Sequence, residues 1–314
     1  MKKQNAMKRF LWTIAVLSLL TSSAAFAQRD RIEKSFNVSP GGTLTIETDK
    51  GSIDVETSNS DRVEIEVIRE VDGWNADELL DEFTVDFKQR GDDVIVTGEF
   101  EGERSRRGWW GGKYRKLKIH YNVVVPRRYN VDLKTSGGGI EVDDLEGEVY
   151  CKTSGGSLTF GNVTGDVEGQ TSGGSITVGE VDGQVDVHTS GGSIRIDRAK
   201  GDVRAKTSGG SISVNEVYGS IDARTSGGSV SAEISEQPKD DCRLTTSGGN
   251  VTVYLSDKVG VNVDARTSGG RVRTDFPVMV RGEISKRSLV AKVNGGGPEL
   301  YLRTSGGSIS LKER

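Results

Sequence analysis

Residues 153–206 read TSGGSLTFGNVTGDVEGQ, TSGGSITVGEVDGQVDVH and TSGGSIRIDRAKGDVRAK, three units of 18 residues that open on the same four letters. TSGG begins at Thr135, Thr153, Thr171, Thr189, Thr207 and Thr225 at that spacing, and returns at Thr246, Thr267 and Thr304. A divergent copy, Thr48-Asp49-Lys50-Gly51, keeps Leu44-x-Ile46 before it and Ile53-x-Val55 after it, so the repeat starts near residue 43. A fixed period of this length marks a solenoid, because one unit cannot bury its own apolar face and must stack on its neighbours.

Aligned copies separate inward from outward positions. Ahead of the corner one column reads Val131, Val149, Val167, Val185, Val203, Ile221, Cys242, Val263 and Leu300. Two residues on, the next reads Leu133, Cys151, Gly169, Val187, Ala205, Ala223, Leu244, Ala265 and Leu302. Past the corner stand Ile140, Leu158, Ile176, Ile194, Ile212, Val230, Val251, Val272 and Ile309, then Val142, Phe160, Val178, Ile196, Val214, Ala232, Val253, Thr274 and Leu311. One residue separates the members of each pair, so the period is two and the elements are strands with one buried face. A fifth column, Leu145, Val163, Val181, Ala199 and Val217, precedes Gly147, Gly165, Gly183, Gly201 and Gly219, a second corner where positive φ is cheapest for glycine.

The expected fold is therefore all-β, a single-stranded parallel β-helix (β-solenoid) with 18-residue coils. Parallel crossovers predict a right-handed winding. Residues 28–66 are read as the first coils, 67–130 as a small α+β insertion or cap, and 131–314 as the TSGG-repeat solenoid. Within the insertion the pattern predicts a short helix over 75–83 and strands over 84–88, 94–100 and 117–125. A second interruption spans 276–293. Cys151 and Cys242 fall in inward columns about five coils apart, about 24 Å at the strand spacing, which predicts two buried free thiols rather than a disulfide.

Residues 1–27 have the order of a secretory signal peptide: a basic start, an apolar run over 10–20, and Ala25-Phe26-Ala27. That run is shorter than the roughly 20 residues of a spanning helix, and nothing later replaces it, so the mature chain is expected without a transmembrane span in the periplasm, outside the cell or at its surface. Among the 314 residues, 42 Lys and Arg stand against 46 Asp and Glu; removing four cations with the leader leaves 38 against 46, a balance of −8. Such a balance argues against a nucleic-acid partner, which calls for excess cations to neutralise phosphates.

No catalytic residues, metal ligands or cofactor are predicted. The calcium β-roll shares the 18-residue period but needs an Asp two positions after Gly-x-Gly, where this chain continues Ser-Ile or Ser-Leu. His120 and His188 have no partner visible in the sequence. Ahead of TSGG, Lys134, Lys152, His188, Lys206, Arg224, Arg266 and Arg303 make a largely basic outward stripe, read either as solvated charge spacing the coils or as a polyanion surface. One loop stands apart: residues 104–116 hold six cations and three aromatics, with Arg106, Arg107, Trp109, Trp110, Tyr114 and Arg115 as the candidate binding residues. Aromatic plates among cations suit sugar faces, anionic polymers or a membrane interface. The other reading is a long hairpin whose tryptophans pack on the stack.

The leader, the phrase Val123-Val124-Val125-Pro126 running into Val131-x-Leu133-Lys134-Thr135-Ser136-Gly137-Gly138, the serial TSGG units and the closing Asn294-Gly295-Gly296-Gly297-Pro298-x-Leu300-x-Leu302 together resemble the bacterial putative adhesin family, a domain of unknown function built from β-strand repeats. The resemblance covers about residues 36–311. It implies a β-solenoid exported to the cell envelope, with no catalytic or ligand residues to carry over. Three functions follow as expectations: a non-enzymatic surface protein or scaffold binding a glycan, a cell-wall polymer or an envelope protein; a carbohydrate-active β-helix enzyme such as a polysaccharide lyase or hydrolase; or a periplasmic partner in envelope stress. The oligomeric state is not legible.

The inward columns carry a stability prediction. Val185→Asp should lower unfolding free energy by several kcal/mol, because it buries an unpaired carboxylate, whereas Asp186→Ala should stay within about 1 kcal/mol. Urea titration of both variants checks this, and equal effects would contradict the inward assignment.

Overall fold

A computed structural model describes residues 28–71, 76–101, 116–280 and 285–314. The described chain is all-β apart from the short helix Ala76–Asp81, and its strands form two long sheets. Strands that precede each TSGG make up the leading sheet, and strands that follow it make up the trailing sheet. From Val131 to Thr245 neighbours are parallel and offset by one unit: Val149 pairs with Val167, Val167 with Val185 and Val185 with Val203 in one sheet, and Ile176 with Ile194 and Ile194 with Ile212 in the other.

The predicted columns form the core. Val131, Val167, Val185 and Val203 are each 2% exposed or less, as are Ile140, Ile176 and Ile194 behind the corner. Burying each such side chain contributes about 1.5–3 kcal/mol, which is how a chain only 33% hydrophobic closes a continuous interior. At the final coil the pattern weakens, and Val272 and Thr274 are only half-buried because no further strand covers them in the trailing sheet. Cys151 and Cys242 are free and buried, as their columns required. Burial raises the Cys242 thiol to about 11 and pushes Cys151 well above its ordinary value.

The glycines have a different cause from the one expected. Gly147 and Gly165 do take positive φ, 157° and 146°, but Gly183, Gly201 and Gly219 do not. What excludes a side chain at those three is the coil beneath: a Cβ on Gly183 would collide with the Gly165 carbonyl, and one on Gly201 with that of Gly183. The second glycine of TSGG obeys the same rule, since a Cβ on Gly192 would strike the Gly174 carbonyl.

Both ends of the stack depart from chain order. Strands Asp93–Phe100 and Leu117–Pro126 lie against the first coil, Thr43–Thr48 and Ser52–Ser58, on the side opposite the repeat, and pair with it in parallel. The helix and the three strands expected between residues 75 and 125 are present, and two of those strands continue the sheets directly. Gln28–Asn37 and Phe83–Arg90 then close the two sheets as antiparallel edges. At the other end, the final coil in the sequence is not final in space. Glu299–Thr304 and Ile309–Glu313 insert between the coil of Cys242–Thr245 and that of Val261–Thr267, leaving the latter outermost. Ser288–Val293 covers Val261–Thr267 antiparallel, within the second interruption. Charged edge strands such as Gln28–Asn37, with Arg29, Asp30, Arg31, Glu33 and Lys34, discourage further pairing.

Gly192→Ala should therefore cost a few kcal/mol by forcing neighbouring corners apart, while Gly137→Ala, where a Cβ meets nothing within 4 Å, should be tolerated. Thermal unfolding of the two variants decides it.

Candidate functional site

In the corner that gives the repeat its signature, the threonine is bonded to the coil below. Thr171 Oγ1 donates to the Gly156 carbonyl at 2.7 Å, Thr189 Oγ1 to Gly174 at 2.8 Å and Thr207 Oγ1 to Gly192 at 2.8 Å, each reaching the coil below. These threonines are buried. The serine after the glycines extends the ladder: Ser157 Oγ accepts from Ser175 N at 3.2 Å and Ser175 Oγ from Ser193 N at 3.3 Å. The second corner repeats the device with Asp166 Oδ1 accepting from Gln184 N at 2.8 Å and Asp202 Oδ1 from Ser220 N at 2.8 Å. These hydroxyls and carboxylates hold coil to coil.

The basic stripe on the leading sheet's outer face is answered in part by the row beside it. Lys134 meets Asp132 at 3.0 Å, Arg224 meets Asp222 at 2.6 Å and Arg303 meets Asp264 at 2.6 Å, while within the neighbouring row Arg204 meets Asp186 at 3.0 Å. Hydrogen bonding to Asp132 raises the Lys134 ammonium above its ordinary value. Near the last coils Tyr301 is flanked by the guanidinium groups of Arg303 and Arg243, 3.8 and 4.5 Å from its ring centre. Exposed pairs of this kind contribute about 0–1 kcal/mol each, so they keep the face soluble more than they stabilise it.

A groove of about 690 Å³ opens on the outer face of the trailing sheet at the amino-terminal end of the stack. Its floor is a cross-strand row in which Glu33 pairs with Glu66, Glu66 with Asn122, and Asn122 with Asp54. Glu56 and Glu64 line it as well. Arg31 bridges Glu33 and Glu66 at 3.0 and 2.6 Å, and Asn122 Nδ2 donates to Glu66 at 2.7 Å. Burial raises the Asp54 carboxyl, opposed by the nearby His120. His120 does have a partner after all: its Nδ1 shares a 2.7 Å hydrogen bond with Ser52 Oγ, a contact created by the parallel pairing of residues 68 positions apart. The groove offers acceptors to hydroxyl or ammonium donors, and among the described residues no His, Cys, Asp and Glu group is arranged to hold a metal ion. Sequence reading missed it because three of its four strands pair outside the repeat, although Ile32-x-Lys34-x-Phe36 already alternates.

The six candidate residues of the aromatic loop, Arg106, Arg107, Trp109, Trp110, Tyr114 and Arg115, lie outside the described residues, as does the leader. On either side of those residues, Gly98 pairs with Thr48 and His120 with Ser52.

Parallel coils, a two-sheet aliphatic core and glycine-threonine corners define a β-solenoid-like repeat protein. The chain belongs to the Toastrack DUF4097 family, a domain of unknown function, which it matches over residues 42–312. Solved structures similar to it include a putative adhesin from Bacteroides fragilis (12% identity, 91% of this chain and 97% of that one, TM-score 0.37). A putative cell adhesion protein from Clostridium sporogenes is similar at 12% identity over 91% of this chain and 100% of that one, TM-score 0.23. A putative lipid binding protein from Parabacteroides distasonis is similar at 13% identity over 91% and 97%, TM-score 0.39. No curated protein matches the chain. Among the described residues no helix is long and apolar enough to cross a membrane.

Two predictions follow from the bonded groups. Thr189→Val should cost about 1–3 kcal/mol by leaving the Gly174 carbonyl unpaired, measurable by urea unfolding. Alkaline titration tests the buried phenol of Tyr129, whose hydroxyl donates to the Asp92 carbonyl and whose pKa burial and the Asp93 and Asp92 carboxylates raise from 10.0 to about 12. The folded state holds this proton more tightly, so its contribution is complete below pH 10.0 and is lost as pH rises through about 12. Tyr129→Phe should flatten the stability decline across that window.

Proposed function

We propose that this chain is a non-enzymatic protein exported to the cell envelope or surface, where its stacked coils present a repetitive β face that binds a glycan, a cell-wall polymer or an envelope protein. One observation carries the reading. The threonine hydroxyls of the repeat and the serine hydroxyls after its glycines are taken up between coils, so what recurs toward solvent is an ordered lattice of charged and polar side chains, the exposed TSGG serines among them, rather than a single cleft. The leader supports export, and the adhesin names printed for similar solved structures accord with attachment. In this reading the winding is right-handed, residues 28–66 open the stack, 67–130 act as its end cap, and 131–314 supply the repeated face. The aromatic loop with Trp109 and Trp110 is the first contact element to test, because aromatic plates among cations suit sugar faces and anionic polymers.

A screen of the chain from Gln28 onward against glycans and peptidoglycan tests this. Retention on at least one polymer is expected, weakened about tenfold or more by Trp109→Ala plus Trp110→Ala if the loop makes the contact. Retention by none would end the attachment reading. A second reading, a carbohydrate-active enzyme, draws on the raised Asp54 carboxyl in a groove with other carboxylates. Release of reducing ends by the native chain and its loss in Asp54→Asn would put that reading first.

A further inference from the structure

The carboxy-terminal end of the stack differs from its flanks. Along the middle coils several cations are matched, Arg198 between Glu180 and Glu216 at 2.9 and 2.7 Å and Lys200 with Asp182 at 2.6 Å, and those unmatched among the described residues, such as Lys152, Arg195 and Lys206, are spread over different coils. At the outermost coil, Arg271 and Arg273 flank Val272 on the last strand of the trailing sheet, Val272–Thr274. Lys286 and Arg287 sit on the segment crossing that coil's corner, where their carbonyls accept from Val272 N and Thr267 N, both at 2.9 Å. Lys292 faces Met279 across the antiparallel pair that closes the leading sheet. Among the described residues none of these five cations has a carboxylate within ion-pair distance, although in the same coil Arg266 is held by Asp264 at 3.2 Å. Met279 is 69% exposed and is the one large hydrophobic side chain so exposed among the described residues.

We infer that this end of the stack docks on an anionic phospholipid bilayer. All five cations lie on the outermost coil or on the segments that cover it, within about two strand spacings, or about 10 Å. That depth is close to the Debye length of about 8 Å at physiological ionic strength, so an anionic surface meeting the end acts on all of them together. A carboxylate-rich protein would answer the charges but leave the Met279 thioether facing polar groups. A lipid interface answers both, with phosphates for the cations and an acyl boundary for the side chain. Docking at the end leaves both outer faces free. The inference rests on the envelope reading only for access to a membrane, and it concerns a surface distinct from the acidic groove and the aromatic loop.

Vesicle flotation of the chain from Gln28 onward, which holds every described strand, tests it. Vesicles of phosphatidylglycerol with phosphatidylcholine should bind the chain and vesicles of phosphatidylcholine alone should not, and high salt should release it. Arg271→Glu plus Arg273→Glu should weaken binding about tenfold or more, and Met279→Asp should weaken it measurably, both at unchanged melting temperature. Lys88→Glu plus Arg90→Glu, on the edge strand Phe83–Arg90 at the opposite end, should leave it intact. Absence of binding, equal binding to neutral vesicles, or equal loss in the opposite-end variant overturns the inference. So does association of chains without lipid that Arg271→Glu plus Arg273→Glu disperses, since the cations would then serve a second copy. Any of these leaves the polymer screen, and the attachment reading it tests, standing on its own result.

Discussion

Neighbouring strands of a parallel ladder stand about 4.8 Å apart, and every corner of this chain has to fit within that height. A Cβ needs more room than one coil leaves above the next, so Gly183, Gly192 and Gly201 lie over the carbonyls of their predecessors without side chains. The same closeness lets Thr189 reach the Gly174 carbonyl and Ser175 accept from Ser193 N. Steric exclusion and hydrogen bonding thus come from one distance, and they explain why four letters recur with so little drift while the outward residues vary freely.

A stack built this way has two unfinished ends, and the chain finishes each by leaving the repeat. The carboxy-terminal coil of the sequence slides beneath its predecessor, so the outermost coil is one that Ser288–Val293 already covers antiparallel. At the amino-terminal end, Asp93–Phe100 and Leu117–Pro126 take the place of a further coil and hand the two edges to antiparallel strands. Antiparallel closure and charged edge residues cut off the ladder where continued parallel pairing would invite another chain.

Chemistry follows this division between middle and ends. In the middle, the threonine and corner-serine hydroxyls are spent on neighbours, and Arg198, Lys200 and Arg204 are matched by carboxylates one coil away. At the ends, where strands from distant parts of the chain meet, charges of one sign collect: Asp54, Glu56 and Glu66 in a groove at one end, and Arg271, Arg273 and Lys292 on the outermost coil and the strand that covers it at the other. Within the regular coils a charge is matched where successive units alternate in sign, as Asp182 and Lys200 do, whereas at the ends strands from distant parts of the chain bring like charges together.

Periodicity was enough to read the coils, the inward columns, the separation of Cys151 from Cys242 and the strands within the first interruption, because each depends on spacing along the chain. It was not enough to read why Gly183 is glycine, which is set by contact with Gly165 and not by its own φ. Nor could it join Ser52 to His120 or line up Glu33, Glu66, Asn122 and Asp54, since those alignments depend on which strand slides beside which. The sequence by itself determined the repeating unit, for hydrophobic alternation and corner residues act within 18 positions. The order of coils at both ends, and the grooves and cation cluster that this order creates, were decided only in three dimensions, where identical units offer interchangeable faces and the capping strands select among them.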